Sequence, residues 1–421
     1  MTRPKKILFT LIALLFLICA LEGAVRITCR AAGIVPFAAS MPWIRPDGDL
    51  LYVLKPGFDG DFYAVHGRTN RFGMRGEETS KAKPEGTVRV LCLGDSRTFG
   101  YAVGQEACYA AHLSCILKER YPGATIEVLN AGVHGYTSYQ GLRYFELQGL
   151  GFEPDIVTVA FEFNDRRLVP VPEEADGSSW FSSASHTLRW RYRLSNSYAL
   201  LSLSMLLRKA LGSESWQERV LALPSQRLMD LSCRVGEDGY RKNLIRIVNL
   251  CRERGIRPIF MTMADEPAVE HAYEKGMTLI KERRFEEAIE VFSHVHGQVT
   301  VPGGDEVIVP WFIYEIGLIH EAQGRTEEAQ VDFRKSASIA AYPSAMGGYT
   351  IRPSRFYADV MEEVAGELDV PCVDLCRFSF DHPEFYRDIC HFTEAGHRAI
   401  AEKIASCIDE QGMLQQGSPV D

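Results

Sequence analysis

The stretch Val88-Arg-Val-Leu-Cys-Leu93-Gly94-Asp95-Ser96-Arg97-Thr98-Phe99-Gly100 decides the fold. A short apolar run closed by Gly-Asp reads as a strand buried on both faces, because a half-exposed strand would alternate polar and apolar residues. Four more runs follow. Ile126-Glu-Val-Leu129 ends in Asn130-Ala-Gly132, and Ile156-Val-Thr-Val-Ala-Phe161 runs into Asn164-Asp165. Pro258-Ile-Phe-Met-Thr-Met263 is the fourth, and Val370 to Leu375 the fifth. Helical segments are expected at 106–120, 138–149, 241–254, 354–368 and 393–410. Strands separated by helices imply a parallel sheet covered on both faces. The expected fold is therefore a three-layer α/β/α sandwich on a five-stranded, mostly parallel sheet.

The chain has 421 residues, 46% hydrophobic and 24% charged, which suits a folded protein rather than a disordered one. Its 46 basic and 55 acidic residues give a net charge of -9, which argues against nucleic acid as a ligand. Eleven cysteines are present, with no paired C-x-x-C metal cluster, and the sequence lacks a Gly-x-x-x-x-Gly-Lys phosphate loop. Neither a metal nor a cofactor is expected.

Arg3, Lys5 and Lys6 precede an apolar run from Ile7 to Leu21. That length lies between a signal-peptide core and a spanning helix, and no small-x-small cleavage site follows. Residues 1–28 are therefore read as a retained transmembrane signal anchor. The positive flank keeps the N-terminus in the cytoplasm and the rest on the extracytoplasmic, periplasmic side. Residues 29–85 form a lead-in expected to pack on the core. The main domain occupies 86–265, interrupted by a lid or cap at 166–240, and resumes at 346–412 before a tail at 413–421.

Residues 266–345 form a second insertion with an internal repeat. Gly276, Ala288 and Phe292 recur 41 residues later as Gly317, Ala329 and Phe333. The spacing resembles the tetratricopeptide repeat, of usual period about 34. Two repeats are too few to stand alone, so the insertion is expected to dock on the main domain. It reads equally as a protein-partner surface or as a structural insert.

Ser96 falls at the carboxyl end of the first strand, where open parallel sheets bind ligands. The following helix can aim N–H groups at developing negative charge. The Ser96 and Gly132 N–H groups and the Asn164 amide would together form an oxyanion hole. Near the C-terminus stands Asp388-Ile-Cys-His391. A carboxylate three residues before an imidazole can fix its tautomer, while the other ring nitrogen takes a serine proton.

These four pieces, in this order, resemble the SGNH (GDSL-like) hydrolase family, whose blocks are Gly-Asp-Ser, a glycine after the second strand, Gly-x-Asn-Asp and Asp-x-x-His. The resemblance covers 86–166 and 350–410. In the lead-in, Leu54-Lys-Pro-Gly57 and Arg68-Thr-Asn-Arg-Phe-Gly73 look like membrane-anchored bacterial members. The resemblance implies a flavodoxin-like sandwich, Ser96 as nucleophile, Asp388 and His391 completing a triad, and Gly132 and Asn164 stabilising the oxyanion. It further implies a serine esterase or O-acyltransferase, acting on an ester-bearing small molecule or on acetyl esters of an extracytoplasmic polysaccharide. Glu162 departs from the family pattern, standing where the third block has glycine. Glu162 and Arg97 are candidates for the substrate side, or for pairing with each other. The alternative is a non-catalytic envelope scaffold that holds glycan through this domain and a protein partner through the repeats.

Overall fold

The first element is one long helix, α1 (Arg3–Ala31), in which the 21-residue span Phe9–Cys29 has a mean hydropathy of 2.1 and is mostly exposed, with Cys29 buried at its end. A computed structural model describes residues 3–31, 41–169, 199, 232–263, 265, 267–295, 310–341, 354–379 and 382–414. Most of the 166–240 segment lies outside these residues. Contacts divide the chain into two units, with a boundary between Lys55 and Pro56, inside the lead-in. The N-terminal unit holds α1 and the hairpin β1 (Ile44–Asp47) and β2 (Leu51–Leu54). Everything described from Pro56 onward, apart from Ala199, belongs to the second unit.

The second unit opens with a hairpin, β3 (Asp59–Phe62) and β4 (Val65–Arg68). It is built on β5 (Thr87–Gly94), β6 (Thr125–Gly132), β7 (Ile156–Ala160), β10 (Arg257–Thr262) and β11 (Cys372–Asp374). A short pair, β8 (Leu168–Val169) with β9 (Ser232–Cys233), lies apart from the sheet. The sheet order is β11-β10-β7-β5-β6, with every pairing parallel. Val90, Leu91, Cys92 and Leu93 are all buried, which is why the deciding stretch shows no polar alternation. The helix Tyr109–Arg120 and the last helix, Glu394–Glu410, pack together on one face, placing Leu113, Leu117, Ile400 and Ile404 in a core with Val90 and Cys92. The helices Ser138–Leu147, Glu237–Arg252 and Arg355–Leu368 pack among themselves as another layer.

The repeat forms two helix pairs, Pro267–Lys281 with Phe285–Val295 and Pro310–Ala322 with Thr326–Ala341. A Cβ on Gly276 would meet the Phe292 ring at 2.3 Å, and one on Gly317 would meet the Phe333 ring at 2.6 Å. The recurring Gly and Phe are therefore one contact made twice, with the phenyl ring occupying the space where a side chain would stand. The core of this insertion is continuous with Phe163, Ile389 and Cys390 of the main domain, so the repeats do dock on it.

Candidate active site

At the end of β5 the chain turns sharply into a single helical turn, Ser96–Phe99. The Asp95 side chain caps it, accepting the Arg97 N–H at 2.9 Å, and Gly100 closes it in the left-handed region at φ 86°. Ser96 is left partly exposed at the lip of the sheet.

Its Oγ lies 2.8 Å from Nε2 of His391. Nδ1 of the same ring lies 2.8 Å from Asp388 Oδ2 and 3.0 Å from Oδ1. Asp388 and His391 meet because the loop folds around the carboxylate: Oδ1 accepts the Cys390 and His391 backbone N–H groups at 3.0 and 2.8 Å. Burial pushes the Asp388 carboxyl up, but the imidazole and these N–H groups outweigh it and hold the pKa below the usual value. An ionised carboxylate places the imidazole proton on Nδ1 and leaves Nε2 to accept from the Ser96 hydroxyl. Tyr101 stacks on the His391 ring, with centroids 4.1 Å apart at 25°. Cys390 Sγ lies 3.6 Å from Nδ1, and burial pushes its thiol well up, so it is a neutral neighbour of the ring.

Arg97 and Glu162 do not face substrate. Both are 1% exposed. Arg97 Nη2 donates to Asp95 Oδ2 at 3.1 Å, and Nη1 donates to Glu162. Glu162 accepts from Arg166 on its other oxygen, and Arg166 in turn pairs with Asp265, Nη1 to Oδ2 at 2.8 Å. Burial raises the Glu162 pKa, while the two guanidinium groups pull it back. The glutamate in the family's glycine position is thus a bridge between two arginines.

Gly132 lies beside Gly94 in the sheet register, yet its N–H donates to Asn130 Oδ1 at 3.0 Å. A Cβ there would fall 2.2 Å from the Phe99 nitrogen, so this glycine serves the close approach of β6 to the Ser96 turn. Gly135, three residues on, sits at φ 75°, and its N–H meets no acceptor among the described residues. The neighbouring His134 ring packs 4.1 Å from Phe99 and 6.0 Å from Tyr101, which places this loop beside the Ser96 turn. The sequence held the cue in the second glycine of Asn130-Ala-Gly-Val-His-Gly135. Asn164 Nδ2 donates to Asp95 Oδ2 at 3.3 Å, and among the described residues its other amide proton meets no acceptor. Asp165 accepts the Ser138 N–H at 2.9 Å and ties the loop to the helix behind it; burial pushes its pKa up to about 7.

The lead-in contributes a residue that sequence reasoning missed. Arg75 is buried, and its guanidinium donates to the carbonyls of Phe99, Gly100 and Val103 at 2.9, 2.6 and 2.7 Å. It clamps the chain that leaves the Ser96 turn. Its signal was the Arg68-to-Gly76 run, whose fold-back on Asn70 could not be read without the structure.

A hydroxyl, an imidazole and a carboxylate in single file at the carboxyl edge of a parallel sheet are the arrangement of a serine hydrolase. The profile of the GDSL-like lipase/acylhydrolase family matches residues 92–302, half of the chain, and the protein belongs to that family. A tetratricopeptide repeat profile matches residues 312–342, the second of the two helix pairs. No curated protein matches the chain. Similar solved structures include the acetyl xylan esterase AlAXEase, 14% identical, covering 76% of this chain and 100% of that one at a TM-score of 0.35. The lipase/acylhydrolase from Enterococcus faecalis is 16% identical, covering 77% and 96% at 0.35. An acetyl xylan esterase from Geobacillus stearothermophilus is 15% identical, covering 80% and 100% at 0.36.

Proposed function

We propose that the protein cleaves or transfers ester-linked acyl groups through an acyl-enzyme on Ser96. The observation that carries this reading is the 2.8 Å contact of Ser96 Oγ with His391 Nε2, continued at 2.8 Å from Nδ1 to Asp388. His391 takes the hydroxyl proton as Oγ attacks the ester carbonyl, and Asp388 offsets the imidazolium charge. The developing oxyanion is met by the Ser96 and Gly135 N–H groups and the other amide proton of Asn164. His391 then gives its proton to the departing alcohol. Water, or a sugar hydroxyl in the transfer reaction, attacks the acyl group on Ser96 with His391 again as base.

We assign the substrate to acetyl esters of an extracytoplasmic carbohydrate or envelope polymer. Support for the extracytoplasmic location comes from α1: at 1.5 Å per residue its apolar span measures about 30 Å, the thickness of a bilayer core. Arg3, Lys5 and Lys6 flank it on the side that favours retention in the cytoplasm. The two helix pairs offer a surface for a protein partner.

The test is fluorophosphonate labelling of the full chain in detergent, read by peptide mass spectrometry. Modification at Ser96 that is lost in His391→Ala supports the reading. A folded sample without modification at Ser96 sinks it and leaves the glycan-binding scaffold in its place.

A further inference from the structure

A chain of buried charges leads away from the Ser96 turn. Asp95 accepts from Arg97, Arg97 donates also to Glu162, Glu162 accepts from Arg166, and Arg166 donates to Asp265. Every member is buried. Three carboxylates and two guanidinium groups leave one surplus negative charge. The chain continues into the helical insertion. The Asp265 N–H donates to Glu270 Oε1 at 3.3 Å, and Glu270 lies on the first helix of the first pair. Ser354 donates its hydroxyl to the same oxygen, from the residue that begins the return to the sheet. Both ends of the insertion therefore meet at Glu270.

The near end of the chain holds the reacting groups. The Asp95 carboxylate accepts the Arg97 backbone N–H at 2.9 Å, inside the turn that presents Ser96, and the Asn164 amide at 3.3 Å. Arg97 alone would not fix Asp95, because a long side chain with one partner keeps several rotamers. Glu162 on its other guanidinium nitrogen removes that freedom, and Arg166 with Asp265 fixes Glu162 in turn. A second route is apolar. Phe163 sits next to Asn164 and Cys390 next to His391, and both pack in one core with Val269, Ala272 and Tyr273 of the insertion. The insertion thus supports the Asn164 side and the His391 side of the site together.

We propose that the helical insertion is part of the catalytic apparatus, with Glu162 as a positioning residue that holds the Ser96 turn and Asn164 against Asp265 at the insertion's root. The proposal rests on the acyl-enzyme reading for its kinetic consequences, but not for its structural one. Glu162→Gln is the first variant: it keeps the side-chain volume and leaves two carboxylates against two guanidinium groups, a balanced set. Asp265→Asn is the second, and touches neither Ser96 nor its immediate partners. Full-length wild type and both variants are compared by melting temperature, by kcat and KM on p-nitrophenyl acetate, and by deuterium exchange of peptides covering 93–101.

The expected result for Glu162→Gln is a kcat lower by about tenfold or more with KM little changed, since a misplacement of an ångström can cost about a hundredfold. Exchange at 93–101 should rise in both variants. A merely structural role would lower the melting temperature and leave kcat per folded molecule alone. Wild-type kcat together with wild-type exchange at 93–101 in a folded variant overturns the proposal. If wild type fails to label at Ser96, the acyl-enzyme reading falls, while the exchange data still decide whether the tether exists. If Asp265→Asn does not fold, Glu162→Gln decides alone.

Discussion

Gly132→Ala puts a methyl group where the structure has no room for one. Its Cβ would fall 2.2 Å from the Phe99 nitrogen, 2.7 Å from the Thr98 carbonyl carbon and 2.8 Å from the Phe99 Cα. Non-bonded heavy atoms settle at about 3.5 Å, so the two backbones must part by about 1 Å. β6 cannot retreat easily, because it is paired with β5 in register from Thr87↔Thr125 to Gly94↔Gly132. The Ser96–Phe99 turn gives way instead, and Ser96 Oγ leaves its position 2.8 Å from His391 Nε2. Overpacking of this kind costs about 1–3 kcal/mol. A displacement of about 1 Å at a nucleophile costs about a hundredfold in rate.

The expected outcome is therefore a kcat on p-nitrophenyl acetate about a hundredfold below wild type, with a melting temperature lower by roughly 3 °C for a loss of about 2 kcal/mol in a unit of this size. Gly123→Ala is the control, since no atom lies within 4 Å of its would-be Cβ. It should melt and turn over like wild type. A folded Gly132→Ala enzyme with wild-type kcat would refute the reasoning, because it would mean that the turn tolerates the displacement or that Ser96 is not the reacting group.

Asp388→Asn keeps acceptors for the Cys390 and His391 N–H groups but presents no carboxylate to Nδ1, so kcat should fall on the order of ten-thousandfold with the melting temperature near wild type, measured on the same ester. Phe333→Ala empties the space beside Gly317, where the ring is buried, and should cost about 3–5 kcal/mol in urea denaturation. Glu270→Gln tests the buried carboxyl at the root of the insertion, whose pKa burial raises from 4.5 to about 7. A raised carboxyl favours folding while protonated, below its unfolded pKa, and that contribution is lost as pH rises through the folded value. The variant should match wild type near pH 4 and exceed it at pH 8 by an amount on the order of 3 kcal/mol. Asp165, pushed up to about 7 by burial, keeps part of the pH slope in both proteins. Equal stability of variant and wild type at pH 8 would count against a buried, ionising Glu270.

The parallel strands were legible because an interior strand of such a sheet is covered on both faces, and Val90 to Leu93 show that as an unbroken apolar run. The repeat was legible for a different reason. Gly276 with Phe292 and Gly317 with Phe333 are forced pairs, so the steric requirement is written as identity at fixed spacing. The Asp388-to-His391 contact is local, closed by two backbone N–H groups within three residues. What failed was non-local. Gly132 had the residue type an oxyanion donor needs, but its N–H is taken by the Asn130 side chain, whose rotamer is set by the Thr98 carbonyl at 2.9 Å.

Arg97 and Glu162 pair with each other, one of the two readings their sequence positions left open, and the reason bears on how charged residues near a nucleophile are read. A single arginine or glutamate beside a motif reads as facing water or substrate, because burying one charge alone costs several kcal/mol. That argument holds only one residue at a time. Arg97 and Glu162 are buried as members of a five-charge set whose other members, Asp95, Arg166 and Asp265, come from three separate segments of the chain. Glu162 also sits where the family block has glycine. Its two oxygens need two cations, and Arg97 and Arg166 supply them from opposite sides of Phe163 in sequence, with Arg166 itself answered by Asp265 at the root of the insertion. The substitution at 162 and the insertion after β10 are thus parts of one arrangement: without the Arg166–Asp265 pair, the Glu162 carboxylate would depend on Arg97 alone, and the Asp95 that caps the Ser96 turn would have to share that arginine without compensation.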